Sequence, residues 1–136
     1  MVNQQFNFAV HIMTALAFAH RRMDSATLAA SVNTNPVVVR RLLLALRRAG
    51  LIETLAGKNG GAKLSRAPRT ITLLDIYDAV ELRPVIAKNQ RRAARHCPVS
   101  CQMKGIMSSV AAGAEEAVRK HLRGITLAAL LRQVDG

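Results

Sequence analysis

One stretch, Pro36 to Ala49, most constrains what this chain can become. Asn35 precedes it as a helix-capping side chain, and Pro36 takes the first helical position, where its missing N–H costs nothing. At about 100° per residue, Val38, Val39, Leu42, Leu43 and Leu46 fall on one side. Val37, Arg40, Arg41, Leu44, Arg47 and Arg48 fall on the other, and Gly50 supplies the left-handed residue that ends such a helix. A helix built this way must bury its aliphatic side and hold four arginines in solvent.

The flanking sequence sets its neighbours. Phe6, Val10, Met13, Leu16 and Ala17 have helical spacing, which predicts a first helix from Phe6 to His20 that ends near Arg21 and Arg22. Asp24 or Ser25 can cap a short second helix, Ser25 to Ser31, with Leu28 and Ala29 inward. Val32-Asn33-Thr34 then forms the turn. After Gly50, Leu51 to Leu55 reads as a strand and Ala62 to Ser65 as its short return, joined by Gly57-Lys58-Asn59-Gly60-Gly61. The glycines do not read as a nucleotide-phosphate loop, because no Gly-Lys-Ser/Thr follows and the loop joins two strands. Short helix, tight turn, basic helix and basic hairpin make a helix-turn-helix with a wing, whose second helix enters the major groove.

Charge agrees with that layout. Twenty Lys and Arg face eight Asp and Glu, for a net charge of +12, and residues 1–70 carry +8 of it. A basic half is the footprint of a polyanion binder, although charge alone fits a solubilising surface equally well. With three Phe, one Tyr and no Trp, the core must be aliphatic and mainly helical, and the aromatic platforms that stack RNA bases are lacking. The alternative that survives is a non-specific basic nucleic-acid-binding protein, separated from a specific one by whether the Asn35–Arg41 face discriminates bases. No paired carboxylates, His-x₃-His site or nucleophile–base motif suggests an enzyme, and His11, His20 and His121 lie on helix patterns as structural residues. No apolar run nears the roughly 20 residues that span a bilayer, and no secretory leader is visible, so a cytoplasmic protein without membrane association is expected.

The remaining chain predicts a helix over Ile71 to Glu81, capped by Thr72, with Leu73, Ile76 and Val80 on one face. Arg83 to Ser100 reads as a loop, with Pro84 and Pro98 bracketing the basic run Lys88 to Arg95. From Met103 an apolar stripe continues through Ile106, Met107, Val110, Ala114, Val118 and Leu122, with small residues suited to close helix packing. A chain this small offers little to cover it, which points to a homodimer interface. After Gly124 a last helix, capped by Thr126, carries Leu127, Leu130, Leu131 and Val134 and is expected to fold back onto the partner's winged domain. The organisation predicted is mainly α: residues 1–82 as a winged helix-turn-helix domain, 83–100 as a basic linker and sensor loop, and 101–136 as dimerisation and C-terminal helices.

These residues together resemble the Rrf2 family of bacterial transcription regulators, the group of IscR, NsrR and CymR. The resemblance is carried by Leu28-Ala29, Ala49-Gly50-Leu51-Ile52, Gly60 to Arg66 and Ile71 to Glu81. The stretch Asn33 to Leu43 is similar to the branch typified by YwnA. The resemblance implies a repressor that binds a pseudo-palindromic operator as a two-fold dimer, with recognition helices in successive major grooves about one turn apart. On the matching positions it implies base reading by Asn33, Thr34, Asn35, Val37, Arg40 and Arg41, arginine suiting guanine edges and valine a thymine methyl. Ser25 and Thr27 would hold phosphates from the second helix, and Lys58, Asn59 and Lys63 would act from the wing. One position departs: Ala56 stands before the first wing glycine, where family members often carry Arg, which leaves Lys58 as its substitute.

Cluster-bearing relatives place three cysteines ahead of and at the start of the dimerisation helix. Here Cys97 and Cys101 stand there alone, so an iron–sulfur cluster would need His96 or a partner ligand, and no cofactor is expected. Cys97, Cys101 and His96 are instead candidate sensor residues. Arg91, Arg92 and Arg95 lie close in sequence, and positive charge beside a helix start favours the oxidant-reactive thiolate form. Two inert reduced thiols, or a small-molecule effector held near the same loop, are the other readings.

Overall fold

The computed structural model describes residues 4–135. In chain order they form α1 (Gln5–Ala19), α2 (Ser25–Val32), α3 (Pro36–Arg48), β1 (Ile52–Leu55), β2 (Gly61–Leu64), a 3₁₀ turn (Pro68–Thr70), α4 (Leu73–Val80), α5 (Pro98–Arg123) and α6 (Leu127–Asp135). Two units separate: residues 1–81 with 123–136, and residues 82–122.

In the first unit α1 is the hub. It buries Ala9, Ile12, Met13, Leu16 and Ala17, and packs on α2, α3, α4, α6 and β2. Val39, Leu42, Leu43 and Leu46 of α3 close the same core, joined by Leu28, Leu51, Ile71, Ile76 and Leu127. Each large aliphatic side chain removed from water contributes about 1.5–3 kcal/mol, which lets an almost wholly aliphatic core hold the fold. Of the few aromatics, Phe6 and Tyr77 join α1 to α4 edge-to-face, with centroids 5.4 Å apart.

Local chemistry sets the helix ends. Asp24 caps α2, accepting the Thr27 N–H at 2.7 Å, and Asn35 caps α3, accepting the Val37 N–H at 2.7 Å. Thr72 and Asp75 form a reciprocal capping box on α4. The end of α3 is a Schellman motif: Gly50 donates to the Arg47 carbonyl, Leu51 donates to the Leu46 carbonyl, and Gly50 has a φ of 77°. Leu46 and Leu51 are both buried, so this motif turns the chain into β1 on a hydrophobic pivot.

The antiparallel hairpin pairs Ile52 with Leu64 and Leu55 with Gly61. A further backbone bridge, unannounced in the sequence, joins Met23 to Ala62 through two hydrogen bonds of 2.9 Å. It places the Met23 backbone so close to Gly61 that a Cβ there would lie 2.5 Å from the Met23 carbonyl oxygen.

Two expectations need correction. The C-terminal helix α6 was expected against a partner's winged domain, but it docks on its own. Leu73 donates to the Ile125 carbonyl and Leu127 to the Ile71 carbonyl, at 2.9 and 2.8 Å, and Leu127 is fully buried. The long helix begins at Pro98, so residues 98–100 are helical rather than loop. Proline breaks a helix only in its interior; at the first position it starts one.

In the second unit, residues 82–97 run along α5. Val85 donates to Glu115 Oε2 at 3.1 Å and Ala94 to Ser100 Oγ at 2.7 Å, fastening the segment near both ends.

Gly61→Ala is expected to cost about 2–4 kcal/mol, combining a strained positive φ with a backbone clash. Gly50→Ala, where a Cβ meets nothing within 4 Å, should cost only about 1–2 kcal/mol. Urea denaturation midpoints read both, and equal losses would contradict the role given to the Met23 bridge.

Candidate nucleic-acid interface

The turn between α2 and α3 is built by the residues that resemblance places against DNA. Asn33 adopts left-handed backbone, φ 65°, a conformation asparagine tolerates at a helix end. Thr34 is half-buried and its N–H closes α2 on the Ala29 carbonyl at 2.9 Å. Asn35 spends its side-chain oxygen on the cap, which leaves its amide NH₂ as a donor facing outward. Asn33 and Thr34 therefore shape the turn, whatever else they touch.

Along α3, Val37 is half exposed on the first turn, and Arg40, Arg41 and Arg48 lie in solvent beyond it. Among the described residues, Arg40 and Arg41 form no ion pair. Arg47 is different: its guanidinium donates to Thr54 Oγ1 at 3.3 Å and ties the helix to β1. An apolar side chain followed by two unengaged guanidinium groups on one exposed face suits the mixed apolar and acceptor pattern of a major groove.

The wing has two kinds of lysine. Lys63 pairs across the strands with Glu53 at 3.2 Å, which partly offsets its charge. Lys58 sits exposed on the loop tip, without an ion pair among the described residues. Its turn closes by a hydrogen bond from Gly60 to the Gly57 carbonyl, with Asn59 left-handed at φ 66°. Sequence reasoning missed Arg22, half-buried, whose guanidinium donates to the Gly61 carbonyl at 3.4 Å and supports the wing base.

At the start of α2, Asp24 accepts the backbone N–H of Thr27, and this bond, with the Thr27 hydroxyl nearby, holds its carboxyl below the usual carboxylate range. The Thr27 backbone N–H is thus committed to the cap, and a negative charge occupies the helix end beside the Ser25 and Thr27 side chains.

The candidate sensor residues lie in the second unit. Cys97 and Cys101 are both free and exposed. Cys97 Sγ accepts the Ser100 N–H at 3.4 Å, and the Cys101 thiol points at the Ala94 carbonyl at 3.5 Å. His96 is exposed beside them. On α5, Met103, Ile106, Met107 and Val110 are 40–53% exposed, Ala114 and Val118 are half-buried, and Leu122 is already covered within the chain at 8%. Leu122 is therefore not free to meet a partner. No helix among the described residues is long and apolar enough to cross a membrane.

Comparison with known proteins places this geometry. Residues 2–133 match the model of the Rrf2 family, described as iron-dependent transcriptional regulators. The HTH-type transcriptional regulator YwnA of Bacillus subtilis (strain 168), so described, is 30% identical over 127 residues, covering 93% of this chain and 94% of YwnA. A crystal structure described as a transcriptional regulator from Lactobacillus plantarum superposes with a TM-score of 0.82 at 26% identity, over 97% of this chain and 90% of that one. The T. potens IscR structure shares the fold, with a TM-score of 0.72 at 24% identity over 98% of this chain and 88% of that one.

The family's description names iron, and the residues here do not fit it. Among the described residues no three His, Cys, Asp or Glu side chains gather where they could hold a metal ion. Two thiols turned to a backbone N–H and a carbonyl do not make the multi-thiolate set that an iron–sulfur cluster requires.

Because the folded state favours the Asp24 carboxylate, its stabilisation is complete above the ordinary carboxylate range and is lost as pH falls through the lowered value. Asp24→Ala should lower the thermal midpoint at neutral pH, and the gap from the native chain should close below about pH 4. A gap that persists undiminished well below that pH would contradict the cap.

Proposed function

The chain belongs to the Rrf2 family of transcriptional regulators and is a DNA-binding regulator rather than an enzyme; from this premise we propose that it binds a pseudo-palindromic operator as a homodimer and represses. The observation that carries the reading is the exposed α3 face with Val37, and with Arg40 and Arg41 clear of ion pairs among the described residues, while the opposite side is buried. Val37, Arg40, Arg41 and the Asn35 amide read bases, with Asn33 and Thr34 holding the turn that aims them. Ser25 and Thr27 take the phosphate contacts from α2. Lys58 and Asn59 reach the backbone from the wing, and Lys63 contributes less because of Glu53. A dimer seated across an operator occludes it, which gives repression as the sign.

Support for the homodimer comes from α5. Val99, Met103, Ile106, Val110, Gly113 and Ala117 recur at alternating intervals of four and three, the spacing of a helix-pairing seam. Val99, Met103, Ile106 and Val110 are 40–63% exposed in the single chain. A Cβ at Gly113 would meet nothing within 4 Å, so the chain's own packing does not require glycine there, although mid-helix glycine costs about 0.5–1 kcal/mol against alanine. Close approach of a second α5 explains it. A two-fold pair presents two copies of α3 to one duplex, with half-sites about one turn apart. A signal would reach the regulator at the Cys97 and Cys101 segment, by thiol oxidation or by a ligand held at the same loop.

Arg40→Ala and Arg41→Ala should each cost about 1–3 kcal/mol on the operator and relax base preference at one position. Lys58→Ala should weaken all duplexes alike and reduce the salt slope by about one. Titrations of cognate and scrambled duplexes read the difference. Equal losses on both for the arginines would remove the base-reading assignment.

A further inference from the structure

The segment that runs along α5 leaves a cavity of about 850 Å³ between itself and the helix. That volume is in the range of sites for small organic ligands, about 300–1,000 Å³. Its apolar wall is Ile86, Val99, Met103, Met107, Ala111 and Ala112, and the two methionines can repack around ligands of differing shape. Four cations stand in its lining: Lys88, Arg91, Arg92 and Lys104. Among the described residues none of the four forms an ion pair. The single carboxylate in the lining, Glu115, is already engaged by the Val85 N–H at 3.1 Å.

An apolar wall beside several uncompensated cations is complementary to one kind of occupant. We propose that this cavity binds a small organic anion, a carboxylate or similar acid on an apolar body, as the effector of the regulator. The acid group meets Arg91 and Arg92, whose planar donor forks suit a carboxylate, and the body lies on the methionine side. Cys97 also lines the cavity and Cys101 does not, so a bound ligand shields one thiol and leaves the other open. The effector role rests on the function proposed above; the binding itself does not.

Naphthoate and its neutral amide serve as a matched pair of probes, titrated calorimetrically into the full chain. Naphthoate should bind once per chain, with the amide at least about tenfold weaker, because a charge-assisted hydrogen bond is worth that much. Arg91→Ala/Arg92→Ala, which changes only exposed side chains, should weaken naphthoate about tenfold or more and leave the amide unchanged. In the Cys101→Ser variant naphthoate should slow alkylation of Cys97 by iodoacetamide. Equal affinity for acid and amide, an unaffected double variant, or unprotected Cys97 would overturn the site. So would loss of binding on Phe18→Asp, which would place the probe instead in the groove lined by α1 and α6. In operator titrations, naphthoate should shift affinity for the native chain and not for the double variant. No shift despite binding would overturn the effector role, whereas absence of any operator binding would sink the regulator reading and leave the anion site standing.

Discussion

Burial of Val39, Leu42, Leu43 and Leu46 on one side of α3 is the constraint on which the rest of the structure depends. With the helix rotation fixed by these side chains, at about 1.5–3 kcal/mol each, no low-energy alternative turns the arginines inward. Arg40 and Arg41 stay in solvent, without carboxylate partners among the described residues, because the core takes the other face. The same residues that stabilise the fold thereby orient the groups proposed to meet DNA. A charged face unconstrained by such a core would have no fixed aim.

The wing is held to that core by three short-range devices. Leu46 and Leu51 form the pivot of the α3 end, Met23 bridges to Ala62, and Arg47 donates to Thr54. Gly61 is the point at which these demands meet, since its missing Cβ admits the Met23 backbone. Lys58 is thus presented on a loop whose base is fixed on two sides and whose tip is closed by a turn hydrogen bond. The order is core first, then helix orientation, then wing placement.

Much of this was legible in the sequence, for identifiable reasons. The bounds of α1, α2, α3 and α4 follow from apolar spacing and from Asn35, Pro36, Gly50 and Thr72, all of which act within a few residues. The start of α5 departs from the loop that Pro84 and Pro98 bracket in the sequence, because a proline at the first helical position starts a helix. Asp24 and Ser25 are both possible caps of α2 from the sequence, and which of them accepts the Thr27 N–H depends on side-chain geometry. The docking of α6, the Met23–Ala62 bridge and the cavity beside α5 were not legible. Each joins residues far apart in sequence, as Val85 and Glu115 are, through one or two contacts that leave no periodic trace.

The seam on α5 and the face on α3 make one claim together: two copies of this chain read two related half-sites. Selection from a randomised duplex library at near-physiological salt tests it most directly, because sequence preference and symmetry are recovered in one experiment. The account predicts an enriched inverted repeat, its half-sites centred about one helical turn apart. Recovery of duplexes without a common motif, with retention that follows salt alone, would contradict it and identify a non-specific basic nucleic-acid-binding protein.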